Sequence, residues 1–192
     1  VDTSLKNRRW RNIAKKTTEP KIRIGGLDLS LSPGFAVIDI KNRIPTLVYA
    51  GSVATSNDDN DAVRSITVES FIATNIYAHR PFNLFVREDF TAGRNKRATQ
   101  TIFNAWVAAD RALHAFGYVV TPVEKPALSP TYVKKAVTGN GKAEKEEVAQ
   151  GVRRLLRLDA DYPFKSGYDD SDACAVILSY LIRENMIDGG VA

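Results

Sequence analysis

The sequence predicts a mixed α/β domain, a five-stranded sheet flanked by helices. Three strand-like runs come first, followed by a helix, a strand, a helix and a strand, and then by helices alone. Pro33-Gly34 joins the first two strands as a hairpin, so the sheet opens antiparallel and is not a purely parallel, doubly wound one. At 192 residues and 44% hydrophobic composition, the chain suffices for one globular domain with an ordinary core.

The hairpin "IRIGGLDLSLSPGFAVIDI" alternates at period two. Leu27, Leu29 and Leu31 fall on one face; Ile22, Ile24, Asp28 and Ser30 fall on the other. A carboxylate beside isoleucines costs free energy unless a hydrogen-bond donor or a cation meets it. Asp28 therefore either caps the turn or waits for a cation.

"TLVYAGSV" reads as the third strand. "NDDNDAVRSITVESFIATNIYAHR" opens on capping residues and spaces Val63, Ile66, Phe71 and Ile76 as a helix would. Pro81 ends it, and "FNLFVRED" gives a fourth strand finishing in acids. "NKRATQTIFNAWVAADRALHAFG" is the clearest helix, with Ile102, Trp106, Ala109 and Leu113 in one stripe and Gly117 closing it. "YVVTPV" is the fifth strand. "SPTYVKKAV", "KAEKEEVAQGVRRLLRL" and "SDACAVILSYLIREN" complete the chain as helices.

Charge is unevenly placed. Residues 1–23 hold eight basic residues against two acidic ones, a net of +6, while the whole chain carries +5. Residues 1–20 are expected to form a basic arm ahead of a domain spanning 21–192. In the arm Arg8, Arg9 and Arg11 could seek phosphates and Trp10 could stack on a base; a solvated tail is the plainer reading. Cys174 lies in an apolar helical run and reads as a buried free thiol. His79 and His114 stand far apart, and no zinc spacing occurs. With no membrane-spanning run and no signal-peptide pattern, a soluble intracellular protein is expected.

Acids recur at three places. Asp28 sits within the first strand, and Glu88 and Asp89 end the fourth. Asp169, Asp170 and Asp172 open the last helix, where positions 169 and 172 share a face. Helix capping alone accounts for the last group, and solvation for Glu88. Brought together by a mixed sheet, the same acids suit two-metal phosphodiester hydrolysis, in which oxygen ligands hold two cations about 4 Å apart. Carboxylates without Cys or His clusters favour Mg²⁺ or Mn²⁺ over zinc.

In these residues the chain resembles the ribonuclease H-like nucleases, and among them the RuvC-type Holliday junction resolvases. The resemblance runs from about Ile22 to Ile182. It rests on "GLDLSLSPGFAVID", "VREDF", "SPTYVKKAVTGNGKAEKEEVAQGVRRLLRL" and "DDSDACAVI". It implies a ribonuclease H-like fold and catalytic metal ligands at Asp28, Glu88, Asp169 and Asp172, with Asp170 a rival for Asp169. It also implies two Mg²⁺ or Mn²⁺ ions, a homodimer on a four-way DNA junction, and paired symmetric nicks leaving 5′-phosphate and 3′-hydroxyl ends. Branch-migration or recombination proteins are the candidate partners. The expected location is the cytoplasm or nucleoid of a bacterium or a virus-infected cell, with an organelle as an alternative. The family often carries a glycine soon after the first aspartate; here it is delayed to Gly34.

Lys134, Lys135, Lys142 and Lys145 surround the turn "TGNG", whose backbone N–H groups could meet a phosphate. They read either as a solvated basic face or as DNA contacts. By the resemblance Lys134 and Lys145 flank the scissile phosphate and stabilise its transition state, with Lys145 in the catalytic set. Phe90 is either a core aromatic or a wedge at the junction centre. Arg94, Lys96 and Arg97 follow it in a loop expected to face DNA.

Two other classes of this architecture fit less well. Sugar kinase and actin-like ATPases also place an Asp before small hydroxyl residues, but need a second lobe and a later glycine-rich loop. DEDD-type exonucleases carry two acids in the first strand, where Asp28 is alone. A DNA-binding relative without catalysis is a further alternative, against which the full acidic set argues. A nuclease for flaps or forks is the main alternative, and no residue separates it from a resolvase.

Overall fold

The computed structural model describes residues 20–29, 32–56, 58–90, 92, 95–121, 128–165 and 167–187. Its strands are β1 (Ile22–Asp28), β2 (Gly34–Lys41), β3 (Ile44–Ser52) and β4 (Leu84–Arg87). Its helices are α1 (Asp61–His79), α2 (Lys96–Ala115), α3 (Pro130–Thr138), α4 (Lys145–Leu156) and α5 (Asp169–Arg183).

The sheet order is β3-β2-β1-β4, with β1 antiparallel to β2, β2 antiparallel to β3, and β1 parallel to β4. The hairpin pairs Ile22 with Ile40 and Asp28 with Gly34. In β3 the pairing passes from Tyr49 to Leu47 between Val37 and Ile38, leaving Val48 as a bulge.

Among the described residues the sheet has four strands, not the five expected. Of the expected fifth strand, the described residues 118–121 contribute one parallel bridge, Val120 to Phe85, with the Thr121 N–H donating to the Phe85 carbonyl at 2.7 Å. The rest of that segment, residues 122 and 123, lies outside the described residues.

Strand alternation builds two cores. Leu27, Leu29, Phe35, Val37 and Phe85 face α1 and α2; Ile24, Ala36, Ile38, Ile40 and Val86 face α5, with α3 and α4 packed beyond it. Asp28 shares the second face with Ile24. On that face Gly26 lets α5 approach, because a β-carbon there would overlap Ile177. α5 is buried over nearly its whole length, Cys174 included, and burial pushes that thiol up.

The stripe expected on α1 is displaced. Val68, Ile72, Asn75 and Ile76 face the core, while Val63 and Ile66 are exposed. On α2 the alanines 105, 108, 109 and 112, with Leu113, meet the core, and Trp106 sits at the margin. Small residues let α2 lie close to α1, which leaves the larger side chains on the flanks. Among the described residues no helix is long and apolar enough to cross a membrane.

Candidate functional site

Three elements end at one place. β1 delivers Asp28 at its last residue. The Glu88 N–H donates to the Leu27 carbonyl, at 3.4 Å, and this sets the exit of β4 beside the exit of β1. α5 begins beneath them with Asp169 and Asp172 in its first turn. Asp28, Asp169 and Asp172 each offer a carboxylate oxygen within 4.8 Å of the others. Glu88 lies outside that trio, across a cavity of about 110 Å³ whose polar lining is Asp28, Glu88, Asp172, Lys134 and Lys145 over Val133, Val148 and Val176. Asp28 and Asp172 belong to both groupings.

Electrostatics follow from this crowding. Asp28 is 8% exposed. Its carboxyl is held well above the usual carboxylate range, first by burial and then by the charges of Glu88, Asp172 and Asp169. Burial, with Asp172 adding to it, raises Glu88 to about 7 against the pull of Lys134. Burial raises Asp172 to about 6, while Lys145 opposes the shift. Burial pulls Lys145 down, but its hydrogen bond to Asp169 and the charges of Asp172 and Asp169 outweigh that and raise it.

Asp169 and Asp170, adjacent in sequence, do different things. Asp170 is buried and accepts from the Lys165 N–H at 3.0 Å and the Ser171 N–H at 2.9 Å. It fixes the approach to α5 and is absent from the acidic trio. Asp169 faces Asp28 and accepts from Lys145 at 2.8 Å. The residue before them, Tyr168, takes a left-handed conformation at φ 60° as the N-cap, and its own side chain makes no capping hydrogen bond.

The predicted basic residues separate. Lys134 and Lys145 line the cavity, whereas Lys135 and Lys142 are exposed and stand outside its lining. The "TGNG" turn differs from its expected role as an anion cradle. Its Gly139, Asn140 and Lys142 N–H groups donate to the Lys135 carbonyl, Thr138 Oγ1 and Asn140 Oδ1, closing α3 with Gly139 at φ 82°. The turn then leads into α4, where Glu147 accepts from the Glu144 N–H at 2.7 Å and fixes Lys145 as the first helical residue.

Phe90 packs edge-on against Trp106, centroids 5.4 Å apart, and stays 38% exposed. Lys96 is exposed at the start of α2. Arg97 is bound to both oxygens of Asp61, at 2.6 and 2.7 Å. Arg8, Arg9, Trp10, Arg11 and Arg94 lie outside the described residues.

One contributor escaped the sequence reading. Arg87, the neighbour of Glu88, stacks 3.8 Å over the Trp106 ring and bonds Asp110 at 2.6 Å, which ties the end of β4 to α2. The only signal in the sequence is Trp106 and Asp110 four apart on α2, and nothing there indicates that Arg87 is their partner.

The fold and the pocket define a class: an α/β protein with an acid-rich pocket where β1 and β4 end, its carboxylate oxygens suited to hard divalent cations. Residues 24–180 match the family described as crossover junction endodeoxyribonuclease RuvC. A relative of that name from Paenarthrobacter aurescens is 33% identical over 84% of this chain and 82% of its own. Another, from Caldanaerobacter subterraneus, is 29% identical over 87% and 96%. A solved structure of Thermus thermophilus RuvC in complex with Holliday junction substrate is 25% identical, covers 86% of this chain and 96% of its own, and has a TM-score of 0.70. The chain belongs to the RuvC family of crossover junction endodeoxyribonucleases.

Proposed function

We propose that this protein is a metal-dependent endonuclease with a ribonuclease H-like fold that resolves four-way DNA junctions. Paired symmetric nicks would leave 5′-phosphate and 3′-hydroxyl ends. The observation that carries this reading is the convergence of four acids at one pocket, Asp28 and Asp172 meeting both Asp169 and the cavity that Glu88 lines. Its family, and the junction bound by the Thermus relative, supply the substrate class.

The donor set fits Mg²⁺ or Mn²⁺: the pocket offers carboxylate oxygens and amines, with neither imidazole nor thiol in its lining. Asp28, Glu88, Asp169 and Asp172 would hold two such ions. When bound there, the ions supply activation of the attacking water and neutralisation of the leaving oxygen. The chain's own part is placement. The fold gathers these carboxylates around one partly desolvated cavity, so little water has to leave before they ligate. Lys134 and Lys145 set ammonium groups at the edge of the same cavity, facing the phosphate whose negative charge grows in the transition state. Lys135, Lys142, Lys96, Arg97 and Phe90 extend the DNA contacts outward, and the basic arm of residues 1–20 adds salt-dependent affinity to the domain of 21–192.

Two opposed cuts need two sites, so the working unit is a homodimer. Phe103 and Val107, 58% and 37% exposed on α2, offer an apolar stripe for a second copy. The protein acts inside a bacterial or virus-infected cell, where branched DNA arises.

The test is an end-labelled cleavage assay on a four-way junction, a flap, a fork and a duplex, with Mg²⁺ or chelator. Symmetric, metal-dependent nicks confined to the junction are expected. Asp28→Asn should lower cleavage on the order of 10³-fold or more while the junction still binds. Equal cleavage of flaps would make this a broader branched-DNA nuclease. Tight binding without cleavage in the wild type would make it a junction-binding relative.

A further inference from the structure

Lys145 is bound to the oxygens that a cation would need. Its Nζ donates to the Gly167 carbonyl at 2.6 Å and to Asp169 Oδ1 at 2.8 Å, and lies 3.4 Å from Asp172 Oδ2. Asp169 and Asp172 are two of the three carboxylates that gather within 4.8 Å. Lys134 shares the cavity but behaves differently. Its ammonium donates to the Ala143 carbonyl at 2.7 Å, and no described carboxylate lies within ion-pair distance of it.

We propose that Lys145 is the resident counter-ion of this pocket, holding Asp169 and Asp172 together in the metal-free protein and releasing them when a divalent cation binds. The proposal rests on reading the pocket as a metal centre.

Three physical points carry it. Several buried carboxylates around one cavity repel one another, and a positive group among them relieves that repulsion. Lys145 is the described cation in contact with two of them. Second, a divalent ion on the same carboxylates would lie far inside the Debye length of about 8 Å from the ammonium, so the two cations compete for the oxygens. Third, the lysine can leave. Its backbone is held at the start of α4, but its side chain is 50% exposed and tethered only at the ammonium among the described contacts, so its four-carbon stem can swing without disturbing the core. The Gly167 residue it also contacts is exposed, so water can replace the ammonium there.

The released ammonium stays at the rim of the cavity, where a phosphate would enter. One side chain thus does two jobs in sequence, and linkage makes them reciprocal: what frees Lys145 from the acids favours cation binding, and cation binding frees Lys145.

The test is calorimetric titration of the full chain with Mn²⁺, without DNA, for the wild type, Lys145→Met and Lys134→Met. Lysine side-chain ¹³C spectra are followed in parallel as Mg²⁺ is added. Lys145→Met should bind the cation about fivefold or more tightly, and Lys134→Met should gain less than about twofold. One lysine resonance should move with Mg²⁺ in the wild type and be missing from Lys145→Met. Unchanged or weaker binding by Lys145→Met, beside a wild type that does bind, overturns the counter-ion role and leaves the metal centre standing. Equal tightening in both variants also overturns it, because diffuse charge would then explain the effect. A wild type that binds no divalent cation overturns the metal-centre reading itself.

Discussion

Gly34 stands directly opposite Asp28 in the β1–β2 ladder, and a β-carbon at residue 34 would overlap the backbone carbonyl of Asp169. The absence of a side chain at this one position therefore lets the start of α5 lie against the end of β1. The delayed glycine noted in the sequence is thus adjacent to the first aspartate in space, although six positions away along the chain. Gly34→Ala must displace either the helix start or the hairpin. We expect a loss of about 1–3 kcal/mol in denaturant unfolding, typical of overpacking. Cleavage should fall further than junction binding, since the acids separate while the basic surface stays. An alanine variant with wild-type stability and activity would show that the approach is not needed.

Asp169 and Asp170 should separate cleanly. Asp170→Ala removes the acceptor for the Lys165 and Ser171 N–H groups and should cost about 1–3 kcal/mol, the penalty for stranding buried donors. Asp169→Asn should leave stability nearly untouched and abolish metal-dependent cleavage. Thermal melts and cleavage assays of the two proteins side by side decide the matter. The reverse pattern would exchange their roles.

That contrast marks where the sequence was legible. Period-two alternation across Ile22–Ile40 located the hairpin and put Asp28 on the face with Ile24, as found. Strand and helix order placed Asp28, Glu88 and the α5 acids at one end, because successive elements in such a sheet return their ends to common edges. Choosing between neighbouring aspartates was beyond it, since the choice depends on which carboxylate accepts the Lys165 and Ser171 N–H groups. The α1 stripe was misplaced for a related reason. Val63 and Ile66 keep helical spacing with Ile76, but which arc of a helix is covered is set by its neighbour, here the alanine face of α2. A lone bridge at Val120 likewise reads as a strand until its partners are counted.

The raised carboxyls predict a pH dependence. Glu88 near 7 and Asp172 near 6 hold protons in the folded, metal-free protein that the unfolded chain has already lost. Between about pH 4 and 7 the folded state therefore binds more protons, and these groups make stability fall as pH rises. In chelator, the melting temperature should decline between pH 5 and pH 8. Mg²⁺ should restore more of it at pH 8 than at pH 5.5, where protons still compete for the same oxygens. A Mg²⁺ effect of equal size at both values would rule out these carboxyls as its site.

Arg87 and Trp106 supply the last prediction. The guanidinium lies 3.8 Å from the ring centroid while Asp110 holds it at 2.6 Å, so the arginine is clamped one residue before Glu88. If the stack itself stabilises the end of β4, Arg87→Met and Trp106→Leu should not be additive. A double-mutant cycle in denaturant should give a coupling of about 0.5–2 kcal/mol, the range for cation–π contacts from exposed to desolvated. Each single variant should also slow cleavage, because Glu88 loses a fixed neighbour, while Asp28, Asp169 and Asp172 keep their own supports on β1 and α5. Additive losses would reduce Trp106 to plain packing and leave Glu88 positioned by the Arg87–Asp110 ion pair and by the backbone bonds of Glu88 to Leu27 and of Asp89 to Leu128.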